Sequence, residues 1–136
     1  MTARSRTRPA GTPDSWLEHA RSDLRLARLA VGQNVLPEQI CFHAQQAVKK
    51  AFKAILLRRQ VDFPLTHDLE QLLTIFDTAK IAVPKNLQEV GTLTPYAVET
   101  RYPGFWGEIS QTAVHEALDL AQQALRWAED SMNASP

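Results

Sequence analysis

The segment from Pro37 to Arg59 constrains the fold more than any other part of the chain. Ile40, Ala44, Ala47, Val48, Ala51, Ala54 and Ile55 recur at intervals of three and four, which places them on one face of an α-helix. Four of these seven are alanine, so a neighbouring helix can approach that face closely. The same period returns in Trp16, Leu17, Ala20, Leu24, Ala27 and Ala30, in Leu69, Leu72, Leu73 and Phe76, and in Ala113, Ala117, Leu120, Ala121, Ala124, Trp127 and Ala128. Strand-like alternation is absent. The expected architecture is all-α, an up-and-down bundle of four to five helices with short connections.

Helix punctuation supports these boundaries. Thr12-Pro13-Asp14 offers a cap, a first-turn proline and an early acid for a helix running to about Gly32. Pro37 opens the second helix, and Phe63-Pro64 lies beyond its end. Thr66 or His67 is the expected cap of a third helix ending near Lys80, with Asp68 and Glu70 in its first turn. Pro84, Gly91 and Pro95 break up the following segment, and Pro103-Gly104 and Gly107 mark a loop before the long last helix. Residues 1–12 hold almost no apolar side chain and are expected to form a disordered basic tail. Residues 13–132 then make a single helical domain, and 133–136 a frayed end.

The 136 residues suffice for a hydrophobic core without disulfide or metal staples. A single cysteine, Cys41, cannot form an internal disulfide, and no apolar run follows Arg4, Arg6 and Arg8 as a signal peptide would require. No stretch approaches the roughly 20 apolar residues that span a bilayer. A cytoplasmic protein with no membrane contact is the expectation. Net charge is zero, which argues against a surface built throughout for nucleic acid. Its distribution is uneven, however: between Gln39 and Val61 stand Lys49, Lys50, Lys53, Arg58 and Arg59 and no acid. That segment can hold phosphate, or its cations can simply complement the negative end of the helix dipole.

Three motifs occur in order along the chain. Cys41-Phe42-His43-Ala44-Gln45-Gln46-Ala47-Val48-Lys49-Lys50-Ala51 lies on the second helix, Thr66-His67-Asp68-Leu69 at the start of the third, and Tyr96-Ala97-Val98-Glu99-Thr100-Arg101-Tyr102-Pro103 before the glycine-marked loop. Together they resemble the HEPN family, small helical modules associated with nucleotide and RNA binding and often encoded beside a minimal nucleotidyltransferase in toxin–antitoxin pairs. The framework covers residues 14 to 131. One departure is that Lys49 stands where family members commonly carry glutamate.

On a helical wheel His43, Gln46 and Lys50 form a polar stripe along the border of the apolar face, whereas Phe42, Gln45, Lys49 and Lys53 fall on the side expected to be exposed. Imidazole, amide and ammonium groups one turn apart can hold a phosphate, a base edge or a ribose hydroxyl; the same groups can equally bond a neighbouring helix. The ligand-binding candidates are therefore His43, Gln46, Lys50, His67, Arg101 and Tyr102. Arg101 brings a fork suited to phosphate, or to Glu99, Glu108 or Asp68 in a purely structural role.

Catalytic HEPN ribonucleases place a histidine a few residues after their arginine. Here Arg101 is followed by Trp106, Gly107 and Glu108, and none of His19, His43, His67 or His115 has an arginine five to seven residues before it. The acid–base group that would activate a ribose 2′-hydroxyl is missing, so no catalytic residue is assigned. The histidines and Cys41 show no zinc spacing, and no metal or cofactor is expected. The resemblance implies a noncatalytic nucleotide- or RNA-binding partner of a minimal nucleotidyltransferase, acting as a homodimer. Alternatives are a divergent metal-independent RNA endonuclease, with His43 or His67 reaching Arg101 across the fold or a dimer, and a structural dimerisation module.

Overall fold

The computed structural model describes residues 11–97 and 108–133. These form four α-helices, α1 (Pro13–Ala30), α2 (Pro37–Arg58), α3 (Leu69–Thr78) and α4 (Gln111–Met132), with two 3-10 segments, Lys85–Leu87 and Val90–Ala97, before α4. No strand occurs among the described residues. The expected helical class is what folds.

α1 starts where the cap chemistry put it: Thr12 Oγ1 accepts from the Ser15 amide at 3.1 Å, and Pro13 occupies the first turn. Its buried face is Leu17, Ala20, Leu24 and Ala27. α4 is capped in the same way by Ser110 and buries Val114, Ala117, Leu118, Ala121, Ala124, Leu125 and Ala128. Both helices pack on α2, and the interfaces are lined by alanines without exposed surface, Ala20 and Ala27 on α1, Ala44, Ala47, Ala51 and Ala54 on α2, and Ala121, Ala124 and Ala128 on α4.

α2 is the central element, and it is buried on more than one face. Cys41, Gln45, Lys49, Phe52, Lys53 and Leu56 are buried in addition to the alanine face. This corrects the expectation that Gln45, Lys49 and Lys53 lie in solvent. The cause is the chain that follows the helix: residues 63–69 and the second 3-10 segment cover the side of α2 that a helical wheel leaves open. Phe52, with no exposed surface, meets Phe76 of α3 and Trp127 of α4 edge-on, with ring centroids 5.2 and 5.8 Å away, so one aromatic cluster ties three helices together.

α3 begins slightly later than expected. Thr66 Oγ1 accepts from the Asp68 amide and Asp68 Oδ1 accepts from Glu70, so Asp68 is the cap and Thr66 braces it. Residues 85–97 adopt 3-10 turns because Pro95 lacks the amide that a continuing helix needs and Pro84 and Gly91 interrupt the run. The expected tail at residues 1–10, the arginine loop at 98–107 and the end at 134–136 lie outside the described residues.

α2 and α3 end alike. Gln60 (φ 61°) and Lys80 (φ 62°) are left-handed, and the next residue donates back into the last turn, Val61 to Leu56 and Ile81 to Phe76, both at 2.9 Å. Non-glycine residues are strained at these positions. Gln60→Gly and Lys80→Gly should therefore each raise stability by about 0.5–1 kcal/mol, measured by urea unfolding. Destabilisation of similar size would show that these side chains make contacts outweighing the backbone strain.

Candidate functional site

Two polar clusters sit on α2, facing different neighbours. The first is centred on Asp23 of α1, whose carboxylate accepts from Lys50 Nζ at 2.7 Å and approaches His43 Nδ1 at 3.3 Å. A carboxylate only accepts, so this contact puts the proton of the neutral imidazole on Nδ1. All three side chains are largely shielded, Asp23 most of all. Two of the residues expected to bind ligand, His43 and Lys50, are thus brought together, and their contact is with α1. Gln46 lies one turn from each along the stripe; its Oε1 is buried with no hydrogen-bond partner among the described residues.

The second cluster faces the segment before α3. Gln45 Nε2 donates to the His67 carbonyl at 3.1 Å, Lys49 Nζ lies 3.0 Å from His67 Nδ1, and Lys53 Nζ donates to the Thr66 carbonyl at 3.1 Å. These three residues occupy one line along the helix at four-residue spacing, so Gln45 and Lys49 both reach His67 and Lys53 reaches Thr66 beside it. The Lys53 ammonium also lies 5.7 Å from the ring centroids of both Trp16 and Phe63. His67, an expected site residue, belongs to this cluster through its backbone and its ring. Arg101 and Tyr102 lie outside the described residues.

Burial dominates the electrostatics here. Lys49 and Lys53 are only 6% and 4% exposed. Desolvation, reinforced by the neighbouring lysines, lowers each ammonium from 10.5 to about 8, with Asp23 opposing the shift at Lys49. Among the described residues neither meets a carboxylate at ion-pair distance. The sequence reading missed this pair, although a signal was present: Cys41, Phe52 and Leu56 flank the Gln45-Lys49-Lys53 line, and three apolar residues there argue for a second buried face.

Tyr96 fixes the start of the third motif against α2 by hydrogen bonding to the Cys41 thiol. Burial pushes the thiol up to about 11 and the phenol up to about 12. The buried Cys41 should accordingly resist an aromatic disulfide reagent in the native protein at pH 7.5 and react only on unfolding. Stoichiometric labelling within seconds would contradict that placement.

Elsewhere, a cleft of about 460 Å³ between the 3-10 segments and α4 is lined by Glu89, Tyr96, Glu116, Asp119 and Gln123. Its acids disfavour phosphate. A shallow groove between α1 and α4 carries Arg21, Arg25 and Arg28, of which Arg21 bonds Glu129 and Arg28 bonds Gln122. Among the described residues no three His, Cys, Asp or Glu side chains converge as a metal site, and no helix is long and apolar enough to cross a membrane.

Comparison with known proteins gives a consistent family. The HEPN domain model matches residues 14–131. A Methanocaldococcus jannaschii protein named "Putative toxin MJ1304" is 26% identical over 122 residues, covering 85% of this chain and 80% of that protein. The crystal structure of TT1696 from Thermus thermophilus superposes with a TM-score of 0.73 at 32% identity, covering 88% of this chain and 97% of that one. That of ST0689, an archaeal HEPN homologue, gives 0.74 at 22% identity over 91% of this chain and all of that one, a likeness of fold alone.

Proposed function

The chain belongs to the HEPN domain family, and from that premise we propose that it is the noncatalytic, nucleotide- or RNA-binding member of a toxin–antitoxin-type pair whose chemistry is done by a minimal nucleotidyltransferase. The similarity to a protein named as a toxin supports the toxin-like part of this reading. The binding part is carried by one observation, the acid-free cationic run of α2, two of whose lysines are withdrawn from water without a carboxylate partner among the described residues. Such charges are costly unless an anion compensates them. Arg101, next in the motif order, supplies a fork for a further phosphate oxygen.

In this reading the domain presents or positions a phosphate-bearing substrate and the transferase acts on it or on the domain itself. The absence of a histidine five to seven residues after Arg101 in the sequence supports leaving bond cleavage to other proteins. Homodimerisation belongs to the same proposal; the exposed Leu26, Leu29 and Leu36 provide apolar surface for association.

The test is to express the chain alone and with the minimal nucleotidyltransferase encoded beside it. The expected result is recovery of the two as a stoichiometric complex, with nucleotide or RNA bound but not cleaved by the chain alone. A chain that purifies free of the transferase contradicts the pairing, and RNA cleavage by the chain alone contradicts the noncatalytic role.

A further inference from the structure

We propose that Lys49 and Lys53 form a subsite for a terminal phosphomonoester, the end phosphate of a nucleotide or of a 5′-phosphorylated RNA. The inference rests on the nucleotide- or RNA-binding reading and specifies which group the site takes. None of the residues first expected to bind ligand on α2 provides this site: His43 and Lys50 are engaged by Asp23, one helix turn around.

Three observations lead to it. Each ammonium has three donors and spends one on the segment before α3, at Thr66 O and His67 Nδ1, leaving donors without an acceptor among the described residues. The Trp16 and Phe63 rings flank Lys53 and favour its charged form, so the positive charge is retained rather than discharged. Gln45, with no exposed surface, leaves its Oε1 unpartnered in the same line, an acceptor for a ligand hydroxyl.

Charge and access select the ligand class. Two adjacent cations match a phosphomonoester, which is close to dianionic at pH 7, better than a singly charged phosphodiester. With 6% and 4% exposure the lysines suit a small end group, whereas a continuous backbone would require an open groove.

The test uses the full chain and compares wild type, Lys49→Met/Lys53→Met, and a control carrying Lys85→Met and Arg126→Met, two exposed cations. Thermal unfolding is followed in pyrophosphate and in potassium chloride at matched ionic strength, at pH 7 and pH 9.5. Binding of one short RNA is measured with a 5′-phosphate and with a 5′-hydroxyl. Pyrophosphate should raise the melting temperature of wild type and control at pH 7, much less at pH 9.5, and not that of the double variant. The 5′-phosphate should improve wild-type affinity about tenfold or more, and the double variant should lose that preference; Lys53→Met alone, carried in parallel, should lose most of it. A pyrophosphate shift equal in all three proteins, or a 5′-phosphate preference surviving in the double variant, overturns the subsite. RNA binding with no end-group preference overturns the subsite while leaving the wider reading intact. A pyrophosphate effect confined to Lys49 and Lys53 without any RNA or nucleotide binding supports the anion site and overturns the wider reading.

Discussion

Phe52→Ala should destabilise the protein by about 3–5 kcal/mol and lower its melting temperature by on the order of 10–15 °C. Phe52 has no exposed surface, and its edge-on contacts to Phe76 and Trp127 join α2 to α3 and α4. Truncation removes those ring contacts and opens a cavity at the meeting point of rigid helices, which limits relaxation. Domains of this size have only about 5–15 kcal/mol of stability in total, so the loss is a large fraction of it. Phe52→Leu, which keeps most of the volume, should cost about 1–2 kcal/mol. Urea unfolding measures both, and a Phe52→Ala cost below about 1 kcal/mol would show that the aromatic cluster is not the junction inferred from its geometry.

The second large effect has the opposite sign. Replacing Lys49 and Lys53 together by methionine should stabilise the protein by roughly 2–4 kcal/mol at pH 7 in the absence of phosphate. Each ammonium titrates at about 8 when folded and at 10.5 in an unperturbed chain, so the unfolded state binds more protons between those values. Stability of the wild type should consequently rise as pH increases from about 8 towards 10.5, and the desolvation penalty is fully present below pH 8. Methionine retains the apolar stem contacts and removes that penalty, offset in part by the lost bonds to Thr66 and His67. The variant should show a much flatter stability profile over pH 7–10. A destabilised variant, or an unchanged pH slope, would mean that the lysines are compensated in the free protein. A stabilising loss of two buried cations is the pattern expected when a protein retains strained charges for binding.

The helices were legible because their signals are local. Thr12-Pro13 and Pro37 place the starts of α1 and α2, and the alanine-rich period on α2 identifies the face that α1 and α4 cover. The second buried face of α2 was not legible, since it depends on where residues 63–69 and 90–97 return, which no helical period encodes. Consequently Gln45, Lys49 and Lys53 read as solvent-facing, although Cys41, Phe52 and Leu56 share that side. Asp23 was missed for a similar reason: its partners, His43 and Lys50, lie on another helix, and a single acid on α1 carries no sequence mark of them. The resemblance located the motif on α2 correctly, while cross-helix contacts separate residues tied to α1 from those directed at the segment before α3.

The most direct test of the account is equilibrium binding of a nucleotide and a short RNA to the purified wild type and Arg101→Ala at two salt concentrations. Saturable binding that weakens at the higher salt, and falls about tenfold or more in Arg101→Ala without a change in melting temperature, is the predicted result. Absence of saturable binding at either salt concentration would contradict the assignment of this domain to nucleotide or RNA recognition.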